Sequence, residues 1–164
     1  MILLEINSKK NGKHTIFIDG EDFDKIKNYT WCVHKEGEIY YAITSIKSNN
    51  ANSKRRSIVR MHRLLIDPKK GFHIDHIDHN GLNNCKDNLR ICTCSQNSMN
   101  SRKRKNRTSI FKGVSLCKNG KYKAQIMINY KQKNLGFYDN EKEAALTYNK
   151  AAKKYFGEYA LLNQ

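Results

Sequence analysis

The sequence has no acidic residue between Asp87 and Asp139, and every charged side chain inside that gap is a cation. They are Arg90, Arg102, Lys103, Arg104, Lys105, Arg107, Lys112, Lys118, Lys121, Lys123, Lys131 and Lys133. Ordinary surfaces intersperse both signs, so a run of this kind favours nucleic-acid contact over a merely solvated face. A second acid-free stretch, between Glu38 and Asp67, carries Lys47, Lys54, Arg55, Arg56, Arg60 and Arg63. Over the whole chain 31 Lys and Arg stand against 15 Asp and Glu, a net charge of +16 that calls for a polyanionic partner. Long apolar runs are also missing. None approaches the roughly 20 residues that span a bilayer, and the start Met1-Ile2-Leu3-Leu4-Glu5 has no basic region followed by an apolar one. A soluble, unexported, cytoplasmic protein with no membrane partner is expected. The cysteines, Cys32, Cys85, Cys92, Cys94 and Cys117, are odd in number and fit neither a disulfide framework nor a paired zinc ribbon. Free, mostly packed thiols in a reducing compartment follow. At 164 residues the chain excludes a large enzyme and allows one domain or a few small modules.

Residues 1–60 alternate in short β-like pieces, Thr15 to Ile18, Trp31 to Val33 and Ile39 to Ile43, with turns at Asn11-Gly12, Asp19-Gly20 and Glu36-Gly37. A short helix is expected around Glu21 to Lys27. The polar tract from Ser48 to Lys54 reads as an exposed loop. The segment Met61 to Leu65 ends at the single proline, Pro68. From Asn97 to Ser109 a helix tail runs into a basic linker, with a boundary near residue 107. Beyond it, Phe111 to Val114, Tyr122 to Ile128 and Lys133 to Phe137 read as strands, turned at Asn119-Gly120 and around Asn129-Tyr130. A helix follows, N-capped by Asn140, with Glu143 as capping-box partner and Gly157 past its end. Its apolar stripe is Ala144, Ala145, Tyr148, Ala151, Ala152, Tyr155 and Phe156. Tyr122, Ile126, Ile128, Leu135 and Phe137 are expected to pack against it.

The stretch from His73 to Asn97 carries the chemistry. A short strand ends in Asp75-His76, a polar Gly- and Asn-rich loop follows, and a second strand, Leu89 to Thr93, turns at Ser95 into a helix bearing Asn97. Such a hairpin and helix can bring Asp75, His76 and Asn97 together. A carboxylate and an amide oxygen are hard ligands suited to Mg²⁺. A histidine with an ordinary pKa of ~6.5 can take a proton from an attacking water at neutral pH. Asn83 and Asn84 read as turn residues, and His62 and His73 as structural or phosphate-facing. A zinc site from His73, His76, His79 and Cys85 has no standard spacing and is disfavoured.

The words Asp75-His76, Ile77-Asp78, Asn80, Asn83-Asn84, Asn88-Leu89-Arg90, Thr93 and Gln96-Asn97 resemble the HNH family of endonucleases, with its ββα-metal fold, in the variant whose last histidine is asparagine. His62-Arg63-Leu64 resembles the family's lead-in. The resemblance implies that His76 is the general base, that Asp75 and Asn97 are metal ligands for Mg²⁺ or Mn²⁺, and that Asn88 holds the loop and orients His76. His79 stands where the family often has glycine.

The C-terminal words Phe111-Lys112-Gly113-Val114, Gly120 to Ile126, Leu135 to Tyr138, Glu143-Ala144-Ala145, Tyr148, Ala151-Ala152 and Leu161-Leu162-Asn163 resemble an AP2-type DNA-binding domain. That implies a sheet lying in the major groove of double-stranded DNA, which is wide enough for a β-ribbon. Lys112, Lys118, Lys121, Lys123, Lys131 and Lys133 would contact phosphates, while Gln125 and Asn134 would read base edges. The basic segment Arg102, Lys103, Arg104, Lys105 and Arg107 would add contacts, as would Lys54, Arg55 and Arg56. Ser115, Asn119, Met127 and Asn134 stand where larger or charged readers are common, so the family's base preference does not carry over.

The expected architecture is α+β: a β-rich module over residues 1–60, an HNH core with its linker over 61–107, and an AP2-like module over 108–164. The expected function is a metal-dependent DNA endonuclease of the phage or mobile homing type, acting as a monomer in a bacterial host cytoplasm. The alternatives are a non-catalytic DNA-binding protein and an RNA-binding protein, the latter without an RNP-type aromatic strand or GXXG loop.

Overall fold

The computed structural model describes residues 1–8, 10–47, 56–103 and 108–164. Arg55, Arg104, Lys105 and Arg107, with the whole polar tract 48–54 including Lys54, lie outside the described residues. The fold is α+β, built from small antiparallel sheets in two compact units, Met1–Thr93 and Cys94–Gln164.

In the first unit, β1 (Ile2–Ser8) pairs with β2 (Gly12–Ile18) in a hairpin with Ile2 opposite Ile18 and Ser8 opposite Gly12. Ile2, Leu4 and Ile6 turn inward while Leu3 stays exposed, so strict alternation is broken in sequence though not in space. A 3₁₀ turn at Gly20–Asp22 leads into the one-turn helix α1 (Phe23–Ile26). Next come β3 (Cys32–Glu36), β4 (Ile39–Lys47) and β5 (Arg56–Arg60), an antiparallel sheet with β4 central. Strand β5 has two arginines in five residues and gives little hydrophobic signal. It forms because both find acceptors: Arg60 binds both carboxylate oxygens of Glu36 at 2.7 Å, and Arg56 bonds Ser45 Oγ at 2.9 Å. Helix α2 (Met61–Ile66) ends at Asp67, whose φ of 43° is left-handed, and Pro68 prevents continuation. The last hairpin is β6 (His73–His76) with β7 (Leu89–Cys92).

Ile16, Ile18, Ile26, Val33, Ala42, Met61, Leu65 and Leu82 make the core of this unit. Each of its large side chains contributes about 1.5–3 kcal/mol by leaving water. Leu82 comes from the loop between β6 and β7. Beside it Phe17 N donates to Leu82 O at 2.9 Å and Asn84 N donates to Phe17 O at 2.8 Å. The N-terminal hairpin thus clamps that loop.

The second unit starts with α3 (Cys94–Met99), which begins one residue before the expected cap at Ser95. Strands β8 (Val114–Leu116), β9 (Tyr122–Ile128) and β10 (Lys131–Tyr138) form a sheet in the order β10-β9-β8, covered by α4 (Glu141–Phe156). Phe111 and Lys112, expected in the first of these strands, instead precede it. The chain turns at Gly113, with φ 75°, where a Cβ would sit 2.0 Å from the Tyr148 ring. Asn140 caps α4 by accepting from Lys142 N at 2.8 Å, while among the described bonds Glu141, not Glu143, reaches out, accepting from Ile110 N. Tyr155 leaves the expected apolar stripe for the surface, where its hydroxyl accepts from Lys133 Nζ at 2.8 Å. Phe137 likewise lies on the exposed face of the sheet. The thiols are free, as expected, but only Cys92 is buried; Cys32 and Cys94 are exposed and Cys85 and Cys117 half-exposed.

Candidate active site

Strand β6 delivers the two key side chains into the interior. Asp75 is 7% and His76 6% exposed. Asp75 sits directly across from Arg90 on β7, which donates to Asp75 Oδ2 from Nε at 2.9 Å and from a terminal nitrogen at 2.6 Å. Arg90 belongs by sequence to the basic run, yet its side chain is only 12% exposed and it serves the carboxylate. Its neighbours in sequence give no sign of this; only the register of β6 against β7 does.

The His76 imidazole lies in an aromatic cage. The His62 ring from α2 is 4.8 Å away, edge-on, and the Tyr41 ring from β4 is 5.9 Å from each histidine. Gly81 permits the closeness of loop and strand, since a Cβ there would fall 2.5 Å from Tyr40 O and 2.6 Å from the Tyr41 ring. Burial pushes the His76 pKa below its usual 6.5, against opposing influences from the Asn84 side chain, Asp78 and Asp75. The imidazole is therefore neutral at neutral pH and able to accept a proton. His62 is pushed down further, to about 3, by burial and then by the charge of His76 and of Arg60 and Arg63. Its place at the heart of the site is not foreseeable from sequence, and neither is that of Tyr41, because both depend on elements distant in the chain.

Asp78 organises the loop that follows His76. It accepts from Asn80 N at 2.7 Å, Asn83 Nδ2 at 2.8 Å and Asn88 Nδ2 at 2.9 Å. Partial burial raises its pKa, but these bonds and the charge of His76 outweigh that and leave it lowered. Asn88 also accepts from Asp78 N at 3.0 Å and donates to Asn83 O at 2.8 Å, so its side chain knits the loop on both sides. His79 takes a left-handed φ of 61°, the conformation that glycine adopts freely. Asn83 behaves as the expected turn residue. Asn84 does not: it is 1% exposed, and its side-chain carbonyl makes no hydrogen bond among the described residues but faces the His76 imidazole, favouring the protonated ring.

Asn97 sits half-buried on α3 in the second unit. Among the described residues, no three His, Cys, Asp or Glu side chains gather to form a metal cage. A carboxylate plus amide oxygens suits a hard divalent cation that keeps waters and takes phosphate oxygens as further ligands.

The residues expected to touch DNA separate into groups. Ala124 and Ile126 of β9 pack against α4, so Lys123, Gln125 and Met127 occupy the opposite face. Across the ladder, Phe137 pairs with Lys123, Asn134 with Gln125 and Gln132 with Met127. Lys131 and Lys133 pair with Ile128 and Ile126, which places them on the helix side by register. Lys121 ion-pairs with Asp139 at 3.1 Å. Lys112 turns into the unit: its Nζ donates to Met99 O at 2.6 Å, and burial pulls its pKa down to about 8. Lys118 is exposed, as is Arg102, with Lys103 half-exposed.

A family model described as HNH endonuclease matches residues 67–99, the segment that holds Asp75, His76, Asn88 and Asn97. An uncharacterized HNH endonuclease of Acanthamoeba polyphaga mimivirus is 31% identical over 157 residues, covering 93% of this chain and 77% of that protein. Protein 3.8 of Escherichia phage T7 is 49% identical over 49 residues, which are 30% of this chain and 40% of that protein. No solved structure matches the chain. No helix among the described residues is long and apolar enough to cross a membrane. With the family segment and a relative that spans nearly the whole chain in accord, this protein belongs to the HNH endonucleases, hydrolases that act on DNA.

Proposed function

We propose that the protein is a site-specific endonuclease of the homing type that hydrolyses phosphodiester bonds in double-stranded DNA with Mg²⁺ or Mn²⁺. The observation that carries this reading is the buried, neutral imidazole of His76 beside the Asp75 carboxylate. His76 acts as general base and draws a proton from the attacking water. The rings of Tyr41 and His62 fix its position, and the Asp78–Asn88 bonds fix the loop beyond it. Arg90 holds the Asp75 carboxylate by its Oδ2 oxygen. Asp75 and Asn97 would hold the cation, which supplies Lewis-acid stabilisation of the charge on the phosphorane and the leaving oxygen. The modules of residues 1–60, 61–107 and 108–164 divide the labour, with the AP2-like sheet and the basic linker binding the duplex. One metal centre per chain favours a monomer that nicks one strand.

Incubation of purified protein with supercoiled plasmid and Mg²⁺, beside EDTA and His76→Ala controls, tests the reading. Open-circular product in the first tube alone supports a nickase, and linear product a double-strand cutter. Plasmid left intact by a protein that still binds DNA would favour a non-catalytic DNA-binding protein.

A further inference from the structure

The face of the second sheet turned away from α4 has an unusual chemical inventory. At one end stands Phe137, 52% exposed, opposite Lys123; in the middle, Asn134 opposite Gln125; at the other end, Met127, 56% exposed, opposite Gln132. Gln132 Nε2 donates to Gln125 Oε1, so the amides are already aligned side by side. The second unit has no arginine after Arg107. Guanidinium groups, which bind guanine O6 and N7 in the commonest specific contact, are therefore missing from this face. What remains matches the other base pair. Asn and Gln amides bind adenine N6 and N7 in bidentate fashion, and apolar side chains contact the thymine methyl group.

Resting on the reading of this unit as a DNA-binding module, we propose that the sheet face selects A·T pairs in the major groove, with Gln125 and Asn134 reading adenines and Phe137 and Met127 reading thymine methyls. The occupant is set by charge as well as by chemistry. Lys123 lies on the face, no acid interrupts the chain from residue 88 to 138, and the molecule carries +16. Register fixes the spacing. Phe137 lies opposite position 123 and Met127 four residues further along β9, about 14 Å at roughly 3.4 Å per residue. That distance is about four base steps, at ~3.4 Å each along one strand, so two methyl contacts flank a central amide pair. Met127 and Gln132 also border a groove of about 610 Å³ whose other walls include Ser95 and Ser98 of α3 and Tyr148 and Phe156 of α4.

The test uses the full-length protein, with EDTA to prevent cleavage, to select duplexes from a randomised library. An A·T core is expected, and Gln125→Arg should convert one of its positions to G·C. Replacing single thymines of the selected duplex by uracil removes one methyl each and should weaken binding about 4-fold at the two contacted positions. Phe137→Ala should lose that discrimination at one of them. A G·C core, a core unchanged by Gln125→Arg, or equal affinity for thymine and uracil duplexes would overturn the inference. So would binding without sequence preference, which leaves the DNA-binding reading intact, whereas failure to retain any duplex overturns both.

Discussion

At the residue scale, the site depends on two buried histidines that burial holds neutral. His62 is neutral because its folded pKa is about 3, far below the ordinary 6.5. The unfolded chain binds more protons than the folded one between those values, so stability should rise with pH across this window and be complete above about 6.5. His76, also lowered, acts in the same sense. Denaturant midpoints followed through the window should show that slope, and His62→Phe, which keeps a ring in the cage, should flatten it. An unchanged slope would place the proton uptake elsewhere. Asp75 and Arg90, by contrast, form an ion pair largely withdrawn from solvent. Removing one partner strands the other, which costs roughly 3–5 kcal/mol in such pairs. Arg90→Met should therefore lower stability on that order and abolish cleavage, measured by chemical unfolding beside plasmid nicking. A stable, active variant would show the ion pair to be dispensable.

At the element scale, the turn that the sequence places around Asn129-Tyr130 carries backbone strain. The turn between β9 and β10 puts Asn129 at φ 49° and Tyr130 at φ 61°, a mirror-image turn that matches the twist of the strands. Tyrosine is a poor occupant of that region, which costs an ordinary residue about 1–2 kcal/mol, and its side chain is 87% exposed. Tyr130→Gly should raise the melting temperature, by an amount equivalent to up to ~1 kcal/mol. If stability instead falls, Tyr130 makes contacts that offset its strain. The tail is tied down in a similar local fashion: Asn163 exchanges bonds with the Lys112 backbone at 2.7 and 3.0 Å and with Asn149 at 2.8 Å. The matching words at both ends of that module are thus neighbours in space.

At the scale of the whole molecule, the excess of positive charge governs association with a polyanion. Every lysine–phosphate pairing that is removed should reduce the slope of log affinity against log salt by ~0.9. Replacing Lys118 and Lys123 together by Ala should flatten it by about two such steps, read from binding at a series of salt concentrations. Lys112→Ala should leave the slope nearly unchanged and lower stability, because its ammonium group is spent on the Met99 carbonyl. A slope reduced by a full step on Lys112→Ala would return that residue to the DNA-binding set.

The sequence by itself determined the family, because the matching segment, which holds Asp75, His76 and Asn88, is one short local stretch of chain. It also determined β9 and α4, whose periodicity and cap signals agree with their tertiary surroundings. Only the tertiary structure decided how these groups are held. Tyr41 and His62 reach His76 from β4 and α2, and Arg90 meets Asp75 through cross-strand register. Likewise the arginines of β5 find their acceptors only across the sheet, Arg60 at the Glu36 carboxylate and Arg56 at Ser45. Which lysines face outward was equally hidden, since the side of a sheet to which a residue points depends on register and on what the other face buries. Composition counts charges, but burial and pairing determine which of them are left for a partner.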